Sequence, residues 1–381
     1  MRVVGVVQCK NEWGLIAMSV SHALLKHVDA VWVLDDGSSD QSAAGYELLA
    51  QQWGDRLKVL HLESIGFEQE AITNTLVQLS ILGEQPDWVY PFDADEFLVL
   101  DDDASLRDLL RSQPDDVDEV RYNVKNFVSP RDFDENKISD YRRQRFQSKA
   151  RRVASIQTKE REIREGTATF FDFGFMSKVV FRVRSNVRLD RGSHSTKIFG
   201  RAKVSVSAPT MRAVHLPMLS RARVERKAQQ GKAHMDVGAP GGRGWQNQFI
   251  YKQQQLGKLD EFWVQHSIDP SDVTDAVVET TLFSDSIKET VDVITALVGS
   301  DDLLAPAGKK LPSRRAAQTV VGLADVVRVG HAFQVHTTAL LHEANRKRRA
   351  SVGFRFQRVV KRTRKSASKF LLSILRKAKG S

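Results

Sequence analysis

Two acidic clusters, Leu34-Asp35-Asp36-Gly37-Ser38-Ser39-Asp40 and Phe92-Asp93-Ala94-Asp95-Glu96-Phe97, each close an apolar, strand-like run. Strand ends deliver their residues to the rim of a sheet, where open α/β folds bind ligands. The first cluster suits a nucleotide base and ribose, the second a divalent metal. In Asp93-Ala94-Asp95, two carboxylates two residues apart point to the same side of an extended chain and offer the oxygen ligands that hard cations take. A cation held there bridges a diphosphate and neutralises the charge of a departing nucleoside diphosphate. Standing alone, the same pair reads more readily as a solvated acidic turn running on into Asp101-Asp102-Asp103.

The elements that must position these clusters alternate in the order of a parallel sheet. Val3 to Gln8 reads as a buried strand, Trp13 to Lys26 as a helix with Leu15, Ile16, Met18, Ala23 and Leu24 at helical spacing, and Ala30 to Leu34 as a second strand. Ser42 to Trp53 follows as a helix, Leu57 to Leu62 as a strand, Glu68 to Leu82 as a helix and Trp88 to Phe92 as a fourth strand. That series is a nucleotide-binding βαβ half. From Val120 the pattern turns to strands and loops, with strands expected over 119–127, 178–183 and 203–206. Asp132 to Glu165, rich in Arg, Lys and Gln, reads as an extended loop. Helices are expected over 221–230 and 245–256, on either side of the Pro240-Gly241-Gly242-Arg243-Gly244 break, and after Asp269-Pro270 over 271–298, 324–346 and 352–379.

The 381 residues, 41% hydrophobic and 27% charged, are ordinary for a globular protein that buries a sizeable core. We expect an α/β body over 1–268, divided into a nucleotide-binding half (1–118) and an acceptor half (119–268), and a helical, basic extension over 269–381. Cys9 is the single cysteine, which excludes an intramolecular disulfide and fits a reducing compartment. Met1-Arg2 runs straight into a short apolar stretch, too short for a signal segment, and no later run has the roughly 18 apolar residues of a membrane span. A cytoplasmic location is expected. The net charge of +10 resides in the tail, since fourteen Lys and Arg against one acid from Glu343 onward leave the preceding chain at −3.

In order and spacing, Cys9-Lys10-Asn11-Glu12-Trp13, the two acidic clusters, and His215-Leu216-Pro217 followed by Ser220 and Lys227 resemble family 2 glycosyltransferases of the GT-A fold. The likeness is to the bacterial branch with a Lys-Asn-Glu opening and an Asp-x-Asp-Glu-Phe motif, and it covers roughly residues 1 to 235. It implies a Rossmann-like, mostly parallel mixed sheet flanked by helices. It also implies a hexosyltransferase that moves a sugar from a nucleotide-diphosphate donor, a UDP-sugar first, to a saccharide or lipid-linked acceptor in polysaccharide or glycolipid synthesis.

Carried onto this chain, the resemblance places Lys10 and Glu12 beside the nucleotide and has Asp36 accept a hydrogen bond from the base. A uracil imide has one N–H donor that a fixed carboxylate satisfies. The competing reading of Asp36 is a turn residue capping the next helix. Asp93 then touches ribose or metal, Asp95 is the principal ligand of Mn²⁺ or Mg²⁺, and Glu96 supports the loop. His215 completes the metal site, with His194 as its competitor; Mn²⁺ accepts mixed nitrogen and oxygen donors.

Inverting transfer needs a general base for the acceptor hydroxyl. Asp172, in the aromatic Phe170-Phe171-Asp172-Phe173 segment, and Asp190 are the candidates, with Glu165 as a further alternative. Lys178, Arg182 and Lys227 are candidate contacts to a diphosphate or an anionic acceptor, although isolated basic residues more often form a solvated face. The basic tail reads as an amphipathic helix lying on anionic lipid, peripheral on the inner face of the membrane, or packed on the body. Nucleic-acid binding is not expected, because aromatic stacking positions and a recognisable fold for it are missing. Two rivals stand beside the transferase. A sugar-1-phosphate nucleotidyltransferase is disfavoured by the lack of a Gly-rich phosphate loop after the first strand, and a non-catalytic, transferase-like scaffold differs by releasing no sugar from a donor.

Overall fold

Val3-Val4-Gly5-Val6-Val7 forms the middle of a sheet because its β-branched side chains pack on both faces of an extended strand. In the computed structural model, which describes residues 1–61, 69–101, 104–149, 154–184, 187–236 and 244–304, this run is β1 (Val3–Cys9). It leads into α1 (Trp13–Lys26), β2 (Ala30–Asp35), α2 (Ser42–Trp53), β3 (Leu57–His61), α3 (Gln69–Glu84) and β4 (Trp88–Pro91). The second half runs through β5 (Glu96–Leu100), α4 (Leu106–Arg111), β6 (Glu119–Asn126), β7 (Phe146–Ser148), α5 (Ile156–Arg164), β8 (Lys178–Arg182), β9 (Val187–Leu189), β10 (Thr196–Ile198) and β11 (Ser205–His215). It ends in α6 (Arg221–Asp236), α7 (Trp245–Gln255), α8 (Leu259–Gln265), β12 (Val277–Glu279) and α9 (Leu282–Val298).

Eight strands make one sheet in the order β3-β2-β1-β4-β8-β6-β11-β5. The first four are mutually parallel, β8 is antiparallel to both neighbours, and β11 is parallel to β6 but antiparallel to β5. The α/β class expected from the sequence is thus the observed one, a large and mostly parallel sheet flanked by helices. Period-two alternation divides the core: Val3 and Val7 of β1 join α1, α2 and α9 on one face, and Val4 and Val6 join α3 on the other. A third cluster holds α6, α7 and α8 together around Trp245, Phe249, Phe262 and Trp263.

Two stretches differ from expectation. Residues 132–165 are not one extended loop: they carry a 3₁₀ turn (Ile138–Arg143), β7 and α5. Phe133, Ile138, Tyr141 and Phe146 within them are buried, an apolar signal too widely spaced to show as a helical or strand period. Past the boundary expected at residue 268, the chain packs back on the body. Phe283, Ile287, Val291 and Ile294 of α9 enter the core shared with α1, Trp13 Nε1 donates to Leu303 O at 2.9 Å, and β12 pairs with β7. The helices expected over 324–346 and 352–379, and with them the basic tail, lie outside the described residues.

Close approach of α6 and α7 depends on Gly231. A Cβ there would stand 2.0 Å from the backbone carbonyl oxygen of Asn247. Gly231→Ala is expected to cost about 1–3 kcal/mol through overpacking, read as a lower midpoint in urea unfolding; an unchanged midpoint would show that the two helices separate freely.

Candidate active site

The loops after β1 and β2 are stitched together before any ligand arrives. Asn11 adopts a left-handed conformation (φ 53°), which its short polar side chain tolerates. Its Oδ1 accepts from Ser39 N at 2.7 Å and Asp40 N at 3.3 Å, while its own N–H donates to Ser38 Oγ at 2.8 Å. Asp35 is buried and spent on this turn, accepting from Ser38 Oγ, from His61 Nδ1 at 3.2 Å and from Tyr46 Oη at 3.5 Å. Burial alone would raise its carboxyl, but these bonds hold it below the usual carboxylate range. Asp36, half-buried at the rim, is anchored through its N–H to Cys9 O at 2.9 Å. Lys10 is exposed.

Strand register builds the centre of the site. β11 pairs His215 with Glu96 of β5 on one side and with Asn126 of β6 on the other, and Leu216 N donates to Asp95 O at 2.9 Å. This brings His215 Nε2 to 3.7 Å from Asp95 Oδ1. The other ring nitrogen, Nδ1, lies 2.7 Å from Asn126 Oδ1. An amide oxygen only accepts, so Nδ1 carries the proton and Nε2 keeps its lone pair. Burial pushes the imidazole down to about 4, against the pull of Asp95, so it is neutral near pH 7. The Phe175 ring lies against it at 4.7 Å between centroids and is itself 40% exposed.

Cations ring the carboxylates. Arg223 of α6, 3% exposed, bridges Glu12 Oε1 at 2.9 Å and Asp95 Oδ2 at 2.8 Å, and Lys227 Nζ lies 4.0 Å from the same Asp95 oxygen. Burial opposes ionisation of Asp95, yet the His215, Arg223 and Lys227 nitrogens outweigh it and hold the carboxyl well below its usual range. One turn away, Arg226 takes both oxygens of Glu135 at 2.6 Å each. Lys178, at the start of β8, is buried between Asp93 Oδ2 at 2.6 Å and Glu96 Oε1 at 2.9 Å.

Glu12, Asp95 and His215, the residues singled out in the sequence, therefore converge with Arg223, Lys227 and Asn126. Asp93 is turned to Lys178 and lines an adjoining open pocket together with Gln8, Asn74, Asp190 and Arg191. Asp190 is ion-paired with Lys197 at 2.8 Å. Asp172 serves locally: its Oδ2 accepts from Thr169 N at 2.7 Å and Thr169 Oγ1 at 2.9 Å, closing a capping box. His194 Nδ1 is bonded to Ser177 O at 3.0 Å, and Arg182 donates to the carbonyls of Val117, Gln113 and Pro114. Sequence reasoning missed Asn126 and Arg223. Ser220, Arg223 and Lys227 fall at i, i+3 and i+7, one face of a helix, so helical periodicity applied to polar residues would have found Arg223; Asn126 needs the strand register.

Among the described residues no three His, Cys, Asp or Glu side chains form a ready-made metal cage. Asp95 Oδ1 and His215 Nε2 nevertheless face each other at 3.7 Å, a carboxylate and imidazole donor set that fits a divalent ion taking its remaining ligands from phosphate and water.

No known protein family's profile matches the chain, and no curated protein matches it in sequence. Among solved structures, it is similar to a mannosyltransferase from Pyrobaculum calidifontis in complex with GDP-Man and Mn²⁺ (13% identity, 99% of this chain and 86% of that one, TM-score 0.34). It is also similar to S. aureus TarS (13% identity, 80% and 89%, TM-score 0.34) and to glucosyl-3-phosphoglycerate synthase from Mycobacterium tuberculosis (16% identity, 32% and 44%, TM-score 0.22).

Proposed function

We propose that the chain is a metal-dependent glycosyltransferase of GT-A type that takes a sugar from a nucleoside-diphosphate donor. The observation that carries this is the neutral His215, its Nε2 lone pair fixed by Asn126 and set against Asp95 Oδ1 at 3.7 Å, at the sheet edge where the βαβ half ends. A bound Mn²⁺ or Mg²⁺ there supplies charge neutralisation for the diphosphate leaving group. Asp36 reads the base from the β2 rim. Lys227, 18% exposed and beside Asp95, reaches toward the diphosphate oxygens.

In this reading transfer inverts the anomeric centre, and Asp190 deprotonates the acceptor hydroxyl. It lines the pocket with Asp93 and keeps 28% of its side chain exposed, whereas Asp172 is committed to its cap.

The test is a screen of nucleotide sugars, UDP-linked first, for release of free sugar and nucleoside diphosphate, with Mn²⁺, with Mg²⁺ and with a chelator. Metal-dependent turnover is expected, and Asp190→Asn is expected to keep nucleotide binding while slowing transfer by about 10²–10⁴-fold. A chain that hydrolyses and transfers none of them, with metal or without, is a scaffold and not a transferase.

A further inference from the structure

Arg223 sets the terms on which a cation can occupy the site. Glu12, Asp95 and Glu135 are matched by Arg223, Arg226 and Lys227 through the contacts at 2.9, 2.8, 2.6 and 4.0 Å. Counted by themselves, these three carboxylates and three cations balance. A divalent ion placed on Asp95 and His215 alone leaves two uncompensated positive charges in a buried place beside a guanidinium, and isolated buried charge is costly. A diphosphate arriving with the ion restores the balance. Arg223 also has a donor to spare, because its Nε is buried with no hydrogen-bond partner among the described residues.

We propose that Arg223 is a positioning residue that makes binding of the divalent cation and binding of the nucleoside diphosphate conditional on each other. The inference rests on the donor-site reading above and adds a coupling that the carboxylate and imidazole ligands alone do not require. Such coupling is reciprocal: the factor by which the nucleotide tightens the metal is the factor by which the metal tightens the nucleotide.

The experiment titrates Mn²⁺ into the full chain by calorimetry, without nucleotide and with saturating UDP or GDP, corrected for the Mn²⁺–nucleotide complex in solution. For the native chain, nucleotide is expected to tighten Mn²⁺ binding roughly 10- to 100-fold. Arg223→Gln removes the competing charge, so Mn²⁺ alone binds about 10-fold tighter and the nucleotide-dependent ratio shrinks. Glu12→Gln works in the opposite direction, because it leaves Arg223 to Asp95 alone and so weakens binding of Mn²⁺ by itself. It carries the test if Arg223→Gln does not fold.

Equal Mn²⁺ affinity with and without nucleotide in the native chain, or an unchanged ratio in Arg223→Gln, overturns the coupling while leaving the donor site intact. An unchanged Mn²⁺ affinity in Glu12→Gln does the same. Failure of Mn²⁺, UDP and GDP to bind at all overturns the donor-site reading, and the coupling with it.

Discussion

Lys178→Met is expected to lower the free energy of unfolding by about 1–3 kcal/mol, the cost of leaving a buried polar group without its hydrogen-bonding partner. Lys178 is 1% exposed and Glu96 wholly buried, and the ammonium also holds Asp93 at 2.6 Å. Methionine fills the volume but leaves the buried Glu96 carboxyl without its polar neighbour and Asp93 without its cation. The native arrangement already strains Glu96: burial pushes it up to about 8 from an ordinary 4.5, with Lys178 opposing and the charges of Asp93 and Asp95 adding to the rise. Lys178 moves the other way, since Asp93 and Glu96 outweigh its burial and keep it charged.

The sign for stability follows from the raised value. Glu96 keeps its proton in the folded chain at pH values where the unfolded chain has lost it. Its contribution is therefore fully present below about pH 4.5 and declines as pH rises toward about 8. Glu96→Gln should flatten that decline, and Lys178→Met should steepen it by removing the group that favours ionisation. Urea unfolding of all three proteins at several pH values across this window reads both effects. Equal stability of Lys178→Met and the native chain would refute the buried trio.

The parts of this molecule that local pattern dictates were legible in the sequence. The parts that arise from strand pairing were not. Alternating apolar runs gave β1 to β4 and the helices between them, because each element's face is written in its own spacing. Both acidic clusters lie at the ends of those strands for the same reason. His215 was placed by its neighbours in sequence, but its tautomer depends on Asn126, 89 residues away, and is set only when β11 lies parallel to β6.

Lys178 was legible only as one of many basic residues. What distinguishes it is burial between Asp93 and Glu96, a consequence of β8 entering the sheet antiparallel beside β4. Asp172 is the reverse case: an acid among aromatic residues suggested a desolvated base, and its oxygen turned out to close a cap three residues long. Chain beyond residue 268 was assigned outside the body because breakers precede it, yet its amphipathic face packs on α1.

Asp95→Ala is expected to reduce donor turnover by about 10³-fold, the scale of several kcal/mol of lost charge stabilisation at the leaving diphosphate. A collapse in activity alone would not separate loss of a metal ligand from damage to the fold, since Arg223 loses one of its two carboxylates in the same change. The charge balance of the cluster supplies a separating sign. Removing one anion from a neutral group leaves it positive by one unit, so a nucleoside diphosphate should bind Asp95→Ala more tightly than the native chain when no metal is present. Addition of Mn²⁺ should then change its affinity little, because Oδ1 no longer faces His215 Nε2. A disrupted fold predicts weaker nucleotide binding in every condition, and a metal site elsewhere predicts an Mn²⁺ response equal to that of the native chain. Tighter metal-free binding, a lost Mn²⁺ response and collapsed turnover occur together only if Asp95 holds the cation against which the diphosphate leaves.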